Sequence, residues 1–364
     1  MTGLPAWRAG GPGTEDRGER GLGSWIRSSS RYHERKGPDF RLPNLPSSRA
    51  NLLMLIDYAA ATHPGLIRTN NEDAYLLSAL DGEEPILNSP CRMLPQGEAG
   101  LLAAVADGMG GAAAGEVASR EGLAALALVL FSRWAAPELR PVLEAELPQA
   151  LEDAVHAASE AVVRYSKDDH SARGMGSTLT AAVCLAGRAH LAQIGDSRAY
   201  LLRKGRLHQI TEDQTLVNDL VNVGVVTREE ARYHPHRNII TQALGSPQPL
   251  RVALSTFTIH RGDRLLLCSD GLHGEVADDL LLALLQREPD PNRVLQTLVD
   301  AALTSGGRDN ITGILLAFDD PALPLPGTAA EVPEVPARSA PPPDSAHRRG
   351  LWHWFRSVFG GGAS

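Results

Sequence analysis

Four strand-length apolar runs of this 364-residue chain end or begin at an aspartate. Three of the runs lead into Asp107, Asp196 and Asp270, and the fourth starts just after Asp309. Glycine or another small residue lies close to each of these aspartates. A charge at the mouth of a buried strand is costly unless a proton, a cation or a partner neutralises it. Any fold for this chain must therefore accommodate four carboxylates at the ends of core strands.

Taken singly, each of these aspartates has an ordinary explanation, because Asp–Gly pairs are common in turns and aspartate is a frequent helix cap. Taken together, they suggest a metal site, since oxygen ligands without cysteine or histidine suit hard ions such as Mg²⁺ or Mn²⁺. Arg68 precedes a further acidic pair, Glu72 and Asp73, by four and five residues. A guanidinium beside such a site is typical of phosphate binding. The residue pattern alone leaves turns and a metal site both open.

The apolar pattern predicts an α+β domain. Strand-length runs occur in groups and helical patterns occur in pairs, without the regular alternation of a parallel α/β fold. We therefore expect antiparallel sheets with helices on their outer faces. The predicted strands cover residues 73–80, 101–107, 177–187, 188–196, 197–205, 251–259, 263–270 and 310–318. The predicted helices are Ala114–Trp134, Pro148–Ser166, Leu280–Gln286 and Pro291–Leu303.

Charge is unevenly distributed along the chain, whose net formal charge is −8. Residues 1–50 carry nine Lys and Arg against five Asp and Glu, and residues 319–364 carry four against five, so residues 51–318 have a net charge of −11. Such a domain would repel a nucleic acid backbone and attract divalent cations, so we expect no nucleic acid partner. The three cysteines are far apart and form no CxxC pair, which argues against a zinc site and a disulfide framework.

Composition divides the chain into four parts. Residues 1–50 are rich in Gly, Ser, Arg and Pro and lack periodicity, so we expect them to be disordered, and Met54 is an alternative start. Residues 51–318 are the predicted domain, residues 319–349 a Pro/Ala-rich linker, and residues 350–364 a short aromatic tail. The tail is either a short helix that contacts a membrane or a partner, or an unstructured segment. Without a secretory signal or a membrane-length apolar run, we expect a cytoplasmic monomer.

Seven motifs in order resemble those of the metal-dependent protein phosphatases, the PPM or type-2C serine/threonine phosphatase family, in its bacterial form. Each motif is weak by itself, but the ordered series extends over residues 54–318 and is highly specific. The motifs are RTNNED, VADGMGGAAAGEVAS, GMGSTLTAAV, IGDSRAYLLRKGRLHQIT, HPHRNIITQALG, LLLCSDGL and GGRDNITGILL. The resemblance implies a four-layer α/β/β/α sandwich, in which two antiparallel sheets are flanked by helix pairs and metal ions lie at one end between the sheets.

The resemblance also implies a set of metal ligands. Asp107 matches the carboxylate that bridges two metal ions, and Gly108 matches the residue whose carbonyl binds one of them. Asp270 and Asp309 match ligands of the first ion. Asp196 matches a ligand, shared with Asp270, of a third and weaker ion in bacterial members. The expected ions are Mn²⁺ or Mg²⁺.

Other matched positions concern the substrate and the protons. Arg68 matches the arginine that holds the substrate phosphate, and Glu72 and Asp73 match acidic residues that hold metal-bound waters. Met109 stands where eukaryotic members often have a histidine, and a thioether cannot donate a proton to the leaving group. His63 is either a substitute general acid or a structural histidine.

The implied activity is hydrolysis of phosphoserine and phosphothreonine in proteins by water that two metal ions activate, in opposition to a bacterial serine/threonine kinase. Two other functions are a pseudophosphatase, which binds phosphoproteins without turnover, and a metal-dependent phosphodiesterase or nuclease. A pseudophosphatase would be free to lose Asp107, Asp270 or Asp309, which are all present. A phosphodiesterase or nuclease would need a basic groove. Residues 216–237 correspond to a variable flap, and are either a substrate selector or a surface helical hairpin.

Overall fold

The strands form two antiparallel sheets. The computed structural model describes residues 56–80, 100–110, 114–135 and 140–327. Its strands are β1 (Asp57–His63), β2 (Asp73–Ala79), β3 (Leu101–Met109), β4 (Gly176–Ser177), β5 (Leu179–Leu185), β6 (Arg188–Ile194), β7 (Arg198–Arg203), β8 (Arg206–Gln209), β9 (Ala253–Thr258), β10 (Asp263–Cys268) and β11 (Ile311–Phe318). Sheet A has the order β1-β11-β10-β7-β8. Sheet B has the order β2-β3-β5-β6-β9, with β4 paired to β3.

Helices cover the outer face of each sheet. The helices are α1 (Ala114–Trp134), α2 (Arg140–Asp168), α3 (Leu216–Asn222), α4 (Arg228–Tyr233), α5 (Asp270–His273), α6 (Asp278–Arg287) and α7 (Pro291–Thr304). Apolar side chains of α1 and α2 form one core cluster with sheet B, and those of α6 and α7 form another with sheet A. The architecture is the expected α/β/β/α sandwich.

Three apolar layers hold this sandwich together, because successive side chains of a strand point to opposite faces of its sheet. In β3, Leu101 and Val105 face sheet A, whereas Leu102 packs against the layer of α1 and α2. In β10, Leu265 faces sheet B and Leu266 packs against the layer of α6 and α7. Both sheets are therefore buried on two faces, which explains why their strands read as continuous apolar runs rather than alternating ones.

The eight predicted strands are confirmed, and the described residues contain three more, which are β1, the two-residue β4 and β8. β1 was missed because its sequence, DYAAATH, has three consecutive alanines, which are poor strand formers. β8 was missed because it has only four residues. β1 is held in place by pairing along its whole length with β11, which no local pattern reveals.

The structure corrects two predicted boundaries. We expected the second long helix to begin at Pro148, since proline suits the first turn, but α2 begins at Arg140 and contains Pro148 in its interior. Residues 319–327, which the composition assigned to a linker, belong to the domain. Leu323 is 5% exposed and joins the apolar cluster between the sheets, and the Arg261 N–H donates to the Pro324 carbonyl at 2.9 Å.

Several predictions fall outside the described residues. They concern the N-terminal extension 1–50, the rest of the linker after 327, the aromatic tail and Cys91. The other two cysteines, Cys184 and Cys268, are buried and free, as small core residues would be. Among the described residues, no helix combines the length and the apolar character that crossing a membrane requires.

Candidate active site

Two aspartates of sheet B lie side by side at one end of the space between the sheets. Asp73 in β2 pairs with Asp107 in β3 in the antiparallel register. Asp73 is two residues from Tyr75, and Asp107 is two residues from Val105, so each aspartate shares a sheet face with a residue of the core between the sheets. Both aspartates therefore point toward sheet A. Directly opposed side chains of such a pair have Cβ atoms about 5 Å apart. The strand register alone therefore brings these two carboxylates together.

Sheet A brings two further carboxylates to the same end. Asp270 follows β10 and begins α5, and Asp309 lies just before β11. Since β10 and β11 are antiparallel neighbours, the end of one strand lies beside the start of the other. The Ser269 hydroxyl, between β10 and α5, donates a 2.7 Å hydrogen bond to Asp73 Oδ2. This bond joins the two sheets at the point where their carboxylates meet.

The backbone of Asp107 is fixed by the segment that leads into β5. Its N–H donates to Thr178 Oγ1 at 2.9 Å, and its carbonyl accepts from the Thr178 N–H at 2.8 Å and from the Ser177 hydroxyl at 3.0 Å. Thr178 Oγ1 also lies 2.8 Å from the hydroxyl oxygen of Ser197, the neighbour of Asp196. The same hydroxyl thus links the strand end that carries Asp107 to the turn that carries Asp196.

Asp196 lies in the turn between β6 and β7 and is 7% exposed. Its carbonyl lies 3.1 Å from His273 Nε2, which is therefore the donor in this hydrogen bond. His273 is the last residue of α5, and Asp270 is the first. One short helix therefore places Asp270 in the cluster and holds the turn of Asp196 against it.

Gly108 approaches its neighbours too closely for any side chain. A Cβ atom there would lie 2.0 Å from the Gly115 carbonyl oxygen. Its N–H donates to the Glu72 carbonyl at 3.1 Å, and the Ser119 hydroxyl of α1 donates to the same oxygen at 2.7 Å. The Glu72 N–H in turn donates to Asn310 Oδ1 at 2.8 Å. Three hydrogen bonds, two to its carbonyl and one from its N–H, thus fix the backbone of Glu72.

Arg68 lies in the loop between β1 and β2 and forms an ion pair with Asp309. Its Nη2 is 2.7 Å from Asp309 Oδ2, and the arginine side chain is 53% exposed. The loop is tightly seated, because a Cβ atom on Gly65, whose φ is +80°, would lie 2.2 Å from the Asp309 carbonyl oxygen. The Leu66 N–H also donates to the Gly307 carbonyl at 2.7 Å. A half-exposed guanidinium on a fixed loop has further N–H groups available for an incoming anion.

Burial and mutual repulsion raise the pKa values of the clustered carboxyl groups. Burial raises the pKa of Asp73 to about 8 and that of Asp196 to about 7, and repulsion from Asp270 adds to both shifts. Burial also raises the pKa of Asp107 well above its ordinary value, with repulsion from Asp73. The pKa of Asp270 is raised by burial and then by Asp309. Carboxylates that oppose one another's ionisation call for a compensating positive charge.

The donors in this cluster suit hard divalent ions. Two buried carboxylate oxygens, Asp73 Oδ1 and Asp270 Oδ1, have no hydrogen-bond partner among the described residues. A cation would satisfy such oxygens, and an all-oxygen donor set favours Mg²⁺ or Mn²⁺. In the part of the chain that the structure describes, no three Asp, Glu, His or Cys side chains already have the spacing of a closed ligand shell. The described residues therefore bring suitable oxygen donors together without forming a complete ligand shell.

All eight predicted site residues lie in this region, and their individual roles as ligands stay a prediction. They are Arg68, Glu72, Asp73, Asp107, Gly108, Asp196, Asp270 and Asp309.

Asn310 is a central residue of the site that the sequence pattern did not single out. It is 4% exposed, and its Nδ2 donates to the Pro64 carbonyl at 3.0 Å and to the Asn70 carbonyl at 2.8 Å. Because its Oδ1 also binds the Glu72 N–H, it holds both ends of the loop that carries Arg68. The available signal was a polar residue directly at the start of a buried strand.

His63, the candidate general acid, and Met109, which stands where eukaryotic members often have a histidine, both have structural positions. The Gly65 N–H donates to His63 Nδ1 at 2.9 Å, so this histidine stabilises the turn before Arg68, which favours its structural interpretation. Met109 ends β3 opposite Gly176 and brings no proton donor to the cluster.

Residues 216–237 form the two short helices α3 and α4. Thr215 caps α3 through the Asn218 N–H, and Thr227 forms a reciprocal capping box with Glu230 at the start of α4. This fits a helical hairpin. Its role as a substrate selector stays a prediction.

Comparison with known proteins places the chain in a family. The sequence profile described as protein phosphatase 2C matches residues 93–315. The chain belongs to the protein phosphatase 2C family. Strands β3 to β11, with Asp107, Asp196, Asp270 and Asp309, lie within or begin in the matched region.

Relatives and solved structures agree with this assignment. The serine/threonine protein phosphatase PstP of Mycobacterium tuberculosis is 37% identical over 299 residues, which cover 77% of this chain and 52% of the relative. This chain therefore spans about half the length of that relative. The serine/threonine phosphatase Stp of Listeria innocua is 32% identical over 256 residues, or 70% of this chain and 93% of the relative. The crystal structure of the PstP catalytic domain with two manganese ions has a TM-score of 0.57 at 37% identity and covers 73% of this chain and 99% of that one.

Proposed function

We propose that this domain is a metal-dependent protein serine/threonine phosphatase that hydrolyses phosphoserine and phosphothreonine esters. One observation carries the proposal: buried carboxylates of both sheets meet at one end of the sandwich beside a half-exposed arginine, and two of them have an oxygen without a hydrogen-bond partner among the described residues. Membership of the protein phosphatase 2C family supports the same activity, since the M. tuberculosis and L. innocua relatives are named serine/threonine phosphatases.

The solved catalytic domain of PstP is in complex with two manganese ions. In this chain Asp107, the Gly108 carbonyl, Asp270 and Asp309 are the groups that would hold such ions. Divalent ions bound there supply positive charge for the phosphoryl group and lower the pKa of coordinated water, which is the nucleophile. We further propose that Mn²⁺ or Mg²⁺ serves in the cell and that Asp196, with Asp270, holds a weaker third ion.

The chain's own side chains bind and orient the substrate. Arg68 is seated on the loop that Asn310 and Gly65 hold in place, so its guanidinium can grip the phosphoryl oxygens without a large rearrangement. Glu72 and Asp73 lie beside the carboxylates near Arg68. Both side chains would accept hydrogen bonds from ordered water.

The described cysteines do not support a covalent phosphocysteine route. Burial raises the pKa of Cys184 and of Cys268 to about 12, so neither thiol is ionised near neutral pH. A thiol of that kind is inert as a nucleophile. Direct attack by water on phosphorus is the alternative that the carboxylate cluster favours.

We also propose the setting of the reaction. The substrates are phosphoproteins, and the opposing enzyme is a serine/threonine kinase. The phosphatase works as a monomer in the cytoplasm, and the aromatic segment Leu351–Phe359 contacts a membrane or a partner protein. The apolar and basic composition of that segment supports this last point.

Phosphate release from phosphopeptides tests the proposed function directly. The full-length chain, stripped of metal with a chelator, is assayed on phosphothreonine and phosphotyrosine peptides with and without Mn²⁺ or Mg²⁺. We expect metal-dependent turnover of phosphothreonine, and a loss of kcat of about a hundredfold or more in Asp107→Asn, because a central charge of the site is removed. Asp153→Asn is the matched control, since Asp153 pairs with Arg133 on the helical layer.

Three results would contradict this function. One is equal turnover in Asp107→Asn and Asp153→Asn, and another is turnover that survives exhaustive chelation. The third is tight phosphopeptide binding without any phosphate release, which would identify a pseudophosphatase instead.

A further inference from the structure

Ser269 is fully buried at the point where the two sheets meet, between β10 of sheet A and Asp73 of sheet B. Its backbone extends the pairing of β10 with β11 by one residue, because its N–H donates to the Thr312 carbonyl at 3.1 Å. The Thr312 N–H in turn donates to Ser269 Oγ at 3.1 Å. Hydrogen bonds from the strand β11 therefore hold both the backbone and the hydroxyl oxygen of this serine.

The Ser269 hydroxyl has one proton, and the distances decide where it goes. Asp73 Oδ2 lies 2.7 Å from Oγ, whereas the Asn310 carbonyl oxygen lies at 3.4 Å. Hydrogen bonds between a hydroxyl and an oxygen are usually roughly 2.7 to 2.8 Å long, so the hydroxyl donates to Asp73. Since Oγ already accepts from the Thr312 N–H, the serine links β11 to the Asp73 carboxylate in a fixed direction.

The two oxygens of the Asp73 carboxylate consequently have different surroundings. Oδ2 accepts from Ser269, whereas Oδ1 is buried and has no hydrogen-bond partner among the described residues. The Asp73 N–H donates to Asn71 Oδ1 at 3.2 Å, which restrains the backbone that carries the carboxylate. A carboxylate held at one oxygen presents the other as a directed donor, as hydrogen bonds from outside a metal site orient the ligands within it.

We propose that Ser269 is a positioning residue of the carboxylate site. It acts through Asp73, because its hydroxyl keeps the carboxylate turned so that Oδ1 stays available to a divalent ion. The inference rests on the metal site of the proposed function and extends that site to a serine outside the eight predicted site residues. It predicts that loss of this hydroxyl weakens ion binding, and that the effect requires Asp73.

The test measures Mn²⁺ binding by isothermal titration calorimetry on the metal-stripped full-length chain at one fixed pH. Ser269→Ala removes the hydroxyl, and we expect its Kd for Mn²⁺ to rise about threefold to tenfold, the effect of losing one hydrogen bond. Asp73→Ala removes the carboxylate itself and should also raise the Kd. Ser269→Cys replaces Ser269→Ala, with the same expected direction, if the alanine variant does not fold as judged by circular dichroism, because a thiol is only a weak donor.

A double-mutant cycle separates an effect through Asp73 from an effect on Asp270, the sequence neighbour of Ser269. In the Asp73→Ala background, Ser269→Ala should change the Kd by less than about twofold, because the carboxylate that the hydroxyl orients is gone.

Ser78→Ala is the matched control for loss of a buried serine hydroxyl. Ser78 lies on the same strand as Asp73, five residues further along, and its hydroxyl donates to the Ala79 carbonyl at 3.1 Å. We expect this variant to bind Mn²⁺ like the wild type.

The inference is overturned if Ser269→Ala or Asp73→Ala binds Mn²⁺ like the wild type. It is also overturned if Ser269→Ala weakens binding equally with and without the Asp73 carboxylate, or if Ser78→Ala causes the same loss. A wild-type chain that binds Mn²⁺ but hydrolyses no phosphoester refutes the proposed function alone, and the cycle still decides the role of Ser269. A wild-type chain that binds no Mn²⁺ refutes both.

Discussion

His190 is a buried histidine outside the carboxylate cluster. It lies on β6, is 7% exposed, and its Nδ1 lies 3.0 Å from Thr256 Oγ1. Burial, and then the charge of Arg188, lowers its pKa from 6.5 to about 4. The folded chain therefore binds fewer protons at this residue than the unfolded chain between these two values, so stability falls as the pH falls through this window.

His190→Gln tests this pH dependence. As the pH falls from 6.5 to 4, His190 should lower the free energy of unfolding by up to about 3 kcal/mol. The variant should lack this part of the dependence of the unfolding free energy on pH. Urea unfolding of the chelated protein at a series of pH values measures it. His170→Gln, a change at an exposed histidine, should keep the wild-type slope. Identical slopes for the wild type and His190→Gln would show that the histidine is not a buried neutral group.

Single residues also show where sequence reasoning stops. Asp107 and Asp270 could be recognised because each follows an apolar run and precedes glycine. Ser269 and Asn310 could not, because their importance lies in contacts with residues about 200 or more positions away, such as the 196 positions between Ser269 and Asp73. Local patterns report what a residue is, whereas these roles depend on what the fold brings to it.

Among the helices, α2 has an unusual interior. It runs from Arg140 to Asp168 and contains Pro148 after its second turn. An interior proline removes a helical hydrogen bond and clashes with the preceding turn, at a cost of about 3 kcal/mol relative to alanine. The structure and the sequence-based boundary therefore make opposite predictions for replacing it.

Pro148→Ala decides between them. If α2 is continuous, we expect the variant to gain roughly 1 to 3 kcal/mol of unfolding free energy, since part of the gain is offset by the freer unfolded chain. Denaturant unfolding at neutral pH measures the change. If the helix instead began at Pro148, proline would be well placed in its first turn, and alanine would stabilise nothing.

Long apolar runs in the sequence identify the core strands, but they do not reveal strands that form only because they pair with a neighbour. β10 and β11 have enough branched and apolar residues to be recognised alone, whereas β1 and β8 are strands because a neighbour supplies their hydrogen bonds. β1 matters for the site, since it leads into the loop of Arg68.

At the scale of the whole molecule, the described chain enters and leaves the domain at the end opposite the carboxylates. Asp57 at the start of β1 pairs with Ala317 near the end of β11, and Asp309 lies just before the other end of that strand. Eight residues of β11 span about 25 Å. Ile56 and Leu323 are both buried in the core between the sheets and mark this far end.

Removal of residues 1–53 and 328–364 should therefore leave catalysis intact. We expect kcat and KM for p-nitrophenyl phosphate within about twofold of the full-length chain, because the removed segments attach far from the site. A shorter form that stops at 318 should be less stable, since it loses Leu323 from the core. A large loss of turnover in the 54–327 form would mean that a terminal segment contributes to the site.

The layered fold could be predicted from the sequence because strand-length and helical periodicities are local properties of the chain. The gathering of carboxylates could be predicted only in outline, because strand register and loop seating decide which oxygens face one another. The Asp73–Asp107 pairing shows this: each residue is visible in the sequence, but only the β2–β3 register makes them neighbours.

The most direct measurement is a crystal structure of the chain grown with Mn²⁺, with anomalous diffraction recorded at the manganese absorption edge. We expect two strong anomalous peaks beside Asp107, bordered by the Gly108 carbonyl, Asp270 and Asp309. Peaks located elsewhere, or an absence of peaks at this end of the sandwich, would contradict the claim that the acidic strand ends form one divalent-ion site.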